Sequence, residues 1–165
     1  MAQLMSLAEL IDAAISAEDA ARKVYLGFTH KFFSRPDVAD FWQSMADDEG
    51  DHARILSDFR IHIFEEDLRM PIDARLAEQA RELNKLDVRQ LVNSIQNLDE
   101  AYEIAYKLES SEVNTLFNFL TIRCLPLEES YEIISATMDR HLLRLARFTR
   151  TFGDAEQCRH IAVSA

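Results

Sequence analysis

The sequence predicts an all-α chain folded as an antiparallel four-helix bundle, with two helical hairpins joined by a crossover that contains a short helix. Three observations lead there. Only three Gly and three Pro occur in 165 residues, so little interrupts helix formation. Four long stretches repeat apolar residues at three- and four-residue steps. Pro36 and Pro126 fall between members of each pair of stretches, whereas a longer segment of different character separates the pairs.

The first helix opens at Ser6-Leu-Ala-Glu9, a capping-box pattern. Its stripe runs Leu7, Leu10, Ile11, Ala14, Ile15, Ala21, Val24 and Phe28, and it should end near Ser34 because Pro36 disfavours helix just before it. A second helix is expected from about Val38 to Phe64, with Phe41, Met45, Ile55, Leu56 and Phe59 on its stripe. Residues 65–86 form the crossover. Glu65, Glu66 and Asp67 are followed by Pro71, then by an amphipathic stretch from Ala74 to Leu83. Asp87 is placed to cap another short turn. Asn97-Leu-Asp-Glu100 is a second capping pattern, opening a third long helix to about Arg123. The fourth runs from about Glu128 to Phe152, where Gly153 is a natural stop. The expected domain is 5–152, with 153–165 as a C-terminal tail.

Charge and composition exclude several classes of function. A formal net charge of -11 disfavours phosphate neutralisation, so no nucleic acid is expected as a partner. Cys124 and Cys158 stand apart with no Cys-x-x-Cys, which argues against a disulfide framework. Glu9 and Asp12 interrupt the apolar residues ahead of Arg22, unlike a signal peptide. No apolar run reaches the length of a membrane span, and a cytoplasmic location is the expectation.

The chemistry is carried by polar residues on the wrong face. Glu18 lies four residues after Ala14 and three before Ala21, on the apolar stripe. Glu49 and His52 interrupt the stripe of the second helix as Glu-x-x-His. Glu109 and Glu112 lie between Ala105 and Leu116, and Met138 and His141 between Ile134 and Leu145. Charges on core-facing stripes are costly unless they pair or bind a cation. The spacing is doubled: Glu18 and Glu49 sit at similar distances either side of Pro36, and Glu109 and Met138 do so around Pro126. At about 1.5 Å rise per residue, each pair reaches one level of its hairpin. A single Glu-x-x-His is weak evidence. Two hairpins marked in the same phase are what a dinuclear metal site in a helical bundle requires.

Neighbouring residues read more plainly. The phase of Asp47, Asp48 and Asp51 turns them toward solvent. Tyr25 shares the face of Glu18 and can hydrogen-bond a ligand, or serve as a buried tyrosine with a satisfied hydroxyl. His30 and His62 fall near helix ends, where a histidine suits the dipole. Trp42, Phe41, Phe117 and Phe119 read as core. Gly50, inside a helix, either admits a neighbour or is merely tolerated.

With these residues in view, the chain resembles the rubrerythrin branch of the ferritin-like superfamily over about residues 5–150. Glu18 with Tyr25, Glu49 with His52, Glu109 with Glu112, and His141 match its motif. Met138 stands where the family has a carboxylate, and no rubredoxin domain is expected. The resemblance implies a ferritin-like fold and a di-iron centre reacting with peroxide or oxygen, with electrons from an external donor protein and a homodimer as the common assembly. It implies Glu18, Glu49, His52, Glu109, Glu112 and His141 as metal ligands, iron as the metal with zinc or manganese as alternatives, and Tyr25 beside them. A thioether is a soft donor ill-suited to iron. Glu112 is the nearest stand-in for the missing oxygen. The alternative reading is a non-catalytic metal-binding or helical interaction module with a degenerate site.

Overall fold

The computed structural model describes residues 4–83, 85–110, 117–122, 141–148 and 150–152. The chain is all-α. Among the described residues the regular elements are helices, joined by one isolated bridge between Ser6 and Pro71. In chain order they are α1 (Leu7–Lys31), α2 (Pro36–His62), α3 (Glu65–Leu68), α4 (Ala74–Leu83), α5 (Val88–Ser94) and α6 (Leu98–Glu109). Residues 117–122, 141–148 and 150–152 are also helical.

Local chemistry sets the boundaries. The capping box forms as the sequence predicts: the Ser6 hydroxyl accepts from the Glu9 amide, and the Glu9 carboxylate accepts from the Ser6 amide. The first helix stops at Lys31, three residues before the expected end, because the turn over Phe32–Ser34 precedes Pro36. Pro36 itself opens α2 at its first position, where the missing N–H costs nothing. This places the start two residues before the expected Val38. The crossover holds α4 over the expected residues, Asp87 caps α5 by accepting from the Gln90 amide, and Asn97 caps α6 by accepting from the Glu100 amide. The short α3 has no apolar repeat to announce it, since it is a single turn over Glu65–Leu68. The helix expected to run to Arg123 is described as α6, ending at Glu109 with Ser110 as its cap, and as helix at 117–122.

Two apolar clusters flank a polar layer along α1 and α2. One contains Val24, Phe28, Val38, Trp42, Met45, Ala101, Ala105, Leu145 and Phe148. The other contains Leu7, Leu10, Ile11, Ala14, Leu56, Phe59, Phe117 and Leu120. Along α1 the chain passes from the second cluster through Glu18 to the first. Along α2 it passes from the first cluster through Glu49 and His52 to the second. Ala105 precedes Glu109, and Leu145 follows His141, in the same first cluster. The apolar layers bury hydrocarbon on both sides, and the charged positions are confined to one level.

Gly27 shows how closely the crossover lies against this frame. A Cβ there would fall 2.7 and 2.8 Å from the two methyl carbons of Val92, so α1 and α5 meet where α1 has no side chain. Gly50 is less constrained, since the nearest atoms to a Cβ there would be those of the Arg22 side chain, at 3.4 Å or more. The close approach is therefore at Gly27, where no sequence signal marked it.

Candidate metal centre

Four stretches of helix deliver five buried polar residues to the middle layer: Glu18 from α1, Glu49 and His52 from α2, Glu109 from the last turn of α6, and His141 from the start of 141–148. Each is at most 5 % exposed. They sort into two groups, Glu18 with Glu49 and His52, and Glu49 with Glu109 and His141. Within each group, one ligand-type atom per residue lies within 4.8 Å of the others. Glu49 belongs to both groups. The i, i+3 spacing of Glu49 and His52 puts both on one face of α2, with His52 Nδ1 3.0 Å from Glu49 Oε2.

The second group is tied together by direct contacts. His141 Nδ1 lies 2.9 Å from Glu109 Oε2 and 3.5 Å from Glu49 Oε1. Tyr25 donates its hydroxyl to Glu109 Oε1 at 2.6 Å. The two imidazole rings stand 5.3 Å apart, and His52 also lies against the ring of Phe117 at 4.7 Å.

Glu18 is different. Both of its carboxylate oxygens are buried and lack a hydrogen bond, and Oε2 is 3.6 Å from His52 Nδ1, just beyond bonding range. A buried carboxylate without a donor is expensive in an apolar interior. The cost is offset when a cation is held at the same point.

Protonation follows from the packing. Burial pushes the Glu49 carboxyl well above the usual range; contact with His52 opposes this, and the charges of Glu18 and Glu109 add to the rise. Burial disfavours the charged form of His52, but the adjoining carboxylates of Glu18 and Glu49 overcome it and raise the imidazole to about 10. For His141, burial is likewise outweighed, by Asp48 and Glu109, and the value is about 9. Burial and the surrounding carboxylates keep the Tyr25 phenol protonated, so it remains a donor to Glu109. Without a cation, the layer offsets its carboxylates with protons.

The sequence-predicted residues Glu18, Tyr25, Glu49, His52, Glu109 and His141 meet in this one layer. Glu112 and Met138 lie outside the described residues, as do both cysteines. His30 and His62 are exposed in the last turns of α1 and α2, as expected. Trp42 and Phe117 are core. Asp48 corrects the sequence reading. It is half-buried, its Oδ2 lies 3.1 Å from His141 Nε2, and it pairs with Arg144, which also reaches the Ser44 hydroxyl. Phase along α2 alone could not show this, because the partner that covers Asp48 comes from another helix.

Three carboxylates and two imidazoles are a donor set suited to iron, manganese or zinc, and the unpartnered oxygens of Glu18 fit a cation better than they fit a closed polar core. A family model described as Rubrerythrin matches residues 9–120. No curated protein and no solved structure matches the chain. Among the described residues, no helix is long and apolar enough to cross a membrane.

Proposed function

The chain belongs to the rubrerythrin family, and from that premise and the geometry of the buried layer we propose that it is a metal-binding oxidoreductase. Glu18, Glu49 and His52 would hold one ion, Glu49, Glu109 and His141 would hold a second, and Glu49 belongs to both groups. The observation that carries this is Glu18: a fully buried carboxylate with two unbonded oxygens, facing a histidine. Iron is the metal proposed, with zinc or manganese compatible with the same donors. When bound, iron supplies the redox chemistry, with peroxide or oxygen as oxidant.

The chain's own residues do the rest. The three carboxylates balance the ionic charge. The apolar layers on either side limit water at the site. Tyr25 holds Glu109 by one oxygen and leaves the other directed at His141. In this reading the ferritin-like four-helix bundle spans 5–152 with a tail at 153–165, Glu112 supplies a further oxygen, electrons come from an external donor protein, and the protein acts as a cytoplasmic homodimer. The order in which the helices cross the two apolar clusters supports the bundle, since α1 and α2 traverse them in opposite directions.

Met138 favours a second reading. A thioether replaces an oxygen donor in the Glu-x-x-His frame before His141, which suits a module that holds a metal without turnover. Anaerobic iron loading separates the two. Two irons per chain, oxidised rapidly on adding peroxide with growth of ferric absorption, support the oxidoreductase. One metal per chain without redox change supports the holding module. A chain that takes up no metal refutes both.

A further inference from the structure

The ligand groups account for the Nδ1 side of His141 but not for its other nitrogen. His141 Nε2 faces Asp48 Oδ2 at 3.1 Å. Asp48 is held in turn by the Arg144 guanidinium, whose second nitrogen reaches the Ser44 hydroxyl. The four residues form a clasp between two helical stretches. Ser44 and Asp48 are one turn apart on α2, and His141 and Arg144 are one turn apart on 141–148. The Asp48 and Arg144 side chains are 24 % and 23 % exposed, at the rim of the core, whereas that of His141 is 3 % exposed.

An imidazole coordinates through one nitrogen only if that nitrogen is free of its proton. In the neutral ring the proton then sits on the other nitrogen. An ionised carboxylate can only accept. Asp48 therefore stabilises the tautomer with the proton on Nε2 and leaves the Nδ1 lone pair facing Glu49 and Glu109. It also fixes the ring plane and raises the basicity of the donor nitrogen. Asp47, the preceding residue on α2, carries the same charge but is exposed and accepts from Gln43 at 2.9 Å.

We propose that Asp48, clamped by Arg144 and Ser44, is a positioning residue that commits His141 Nδ1 to the ion held with Glu49 and Glu109. The inference rests on the metal-binding reading above and adds to it a residue outside the ligand groups. It also explains why Asp48 is not a simple solvated charge: its carboxylate is the outer half of a metal ligand.

The test uses the full chain loaded with cobalt(II). Affinity is measured by chelator competition, and the coordinated imidazole N–H protons by their hyperfine-shifted proton resonances, with H141Q identifying that of His141. Asp48→Ala should weaken cobalt binding at the His141 position by about 10–100-fold and turn the slowly exchanging His141 N–H into a rapidly exchanging one. Asp47→Ala should change neither. Asp48→Asn, which keeps an oxygen acceptor, should recover part of the lost affinity. If Asp48→Ala does not fold, Asp48→Asn against the charge-matched Asp47→Asn decides: a loss confined to position 48 supports the proposal, and equal losses overturn it. Unchanged affinity and N–H exchange in Asp48→Ala, with normal cobalt uptake by the unsubstituted chain, overturn this inference alone. No cobalt uptake by the unsubstituted chain overturns the metal reading and this inference with it.

Discussion

Glu18→Leu separates a residue kept for folding from one kept for binding. The Glu18 side chain is 1 % exposed, neither oxygen has a hydrogen bond, and its closest cationic contact given by the geometry is His52 Nδ1 at 3.6 Å. Removing it leaves His52 with Glu49 at 3.0 Å and relieves Glu49 of a neighbouring negative charge. A buried acceptor left without a donor costs about 1–3 kcal/mol, and Glu18→Leu removes that cost. At about 2–4 °C per kcal/mol for a chain of this size, the metal-free variant should melt higher than the metal-free parent by several degrees. Metal reverses the order. An ion at a thousand times its dissociation constant contributes about 4 kcal/mol to the native state that binds it, and the variant loses most of that gain at the Glu18 position. Calorimetric melting of both proteins, with and without saturating iron(II) or zinc, should show the two orders cross. A metal-free parent that is more stable than Glu18→Leu would refute the reasoning, because Glu18 would then be a satisfied structural group.

Three further outcomes follow from the same geometry. Protons and metal compete for His52 and His141, whose imidazoles are raised to about 10 and about 9; below those values affinity at each position should rise about tenfold per pH unit, and competition titrations at pH 6, 7 and 8 that give a flat profile would contradict it. The metal-free fold should move the other way, since a histidine raised from 6.5 contributes stability that is complete below about pH 6.5 and is lost as pH rises through 9 to 10; thermal melts of the apoprotein across that range measure it. Gly27→Ala should destabilise the fold by about 1–3 kcal/mol through overpacking, because its Cβ would fall 2.7 Å from Val92, and Val92→Ala should restore most of the loss in a denaturant titration.

Much of the buried layer was legible because a helix constrains its own faces. Glu18 sits between Ala14 and Ala21, and Glu49 and His52 between Met45 and Leu56, so a 3.6-residue period already turns them inward. Caps were legible for a similar reason: Ser6, Asp87 and Asn97 act on amides three residues away. What could not be read depends on a second element. Asp48 lies about 100° from Glu49 around α2, and only His141 and Arg144, far along the chain, decide whether that direction is solvent or protein. Gly27 is likewise defined by Val92. The end of the first helix at Lys31 rather than Ser34 turns on whether the residues before Pro36 form a last helical turn or a tight connection, and propensity hardly distinguishes these.

The two halves of the buried layer are built on different terms. In the half containing Glu109 and His141, each ligand-type residue is already held from behind, Glu109 by the Tyr25 hydroxyl and His141 by Asp48. Such groups are satisfied whether or not an ion is present, so binding there costs little reorganisation but also relieves little strain. In the half containing Glu18, the carboxylate has no such support, and an ion would remove a desolvation cost the empty fold must otherwise carry. Glu49 joins the two, since its oxygens face His52 on one side and His141 on the other. An ion held by Glu18 and Glu49 would favour the charged form of Glu49, which burial otherwise disfavours, and the second group shares that carboxylate. The intact first half of the motif thus prepares the second, which is the half whose sequence carries Met138.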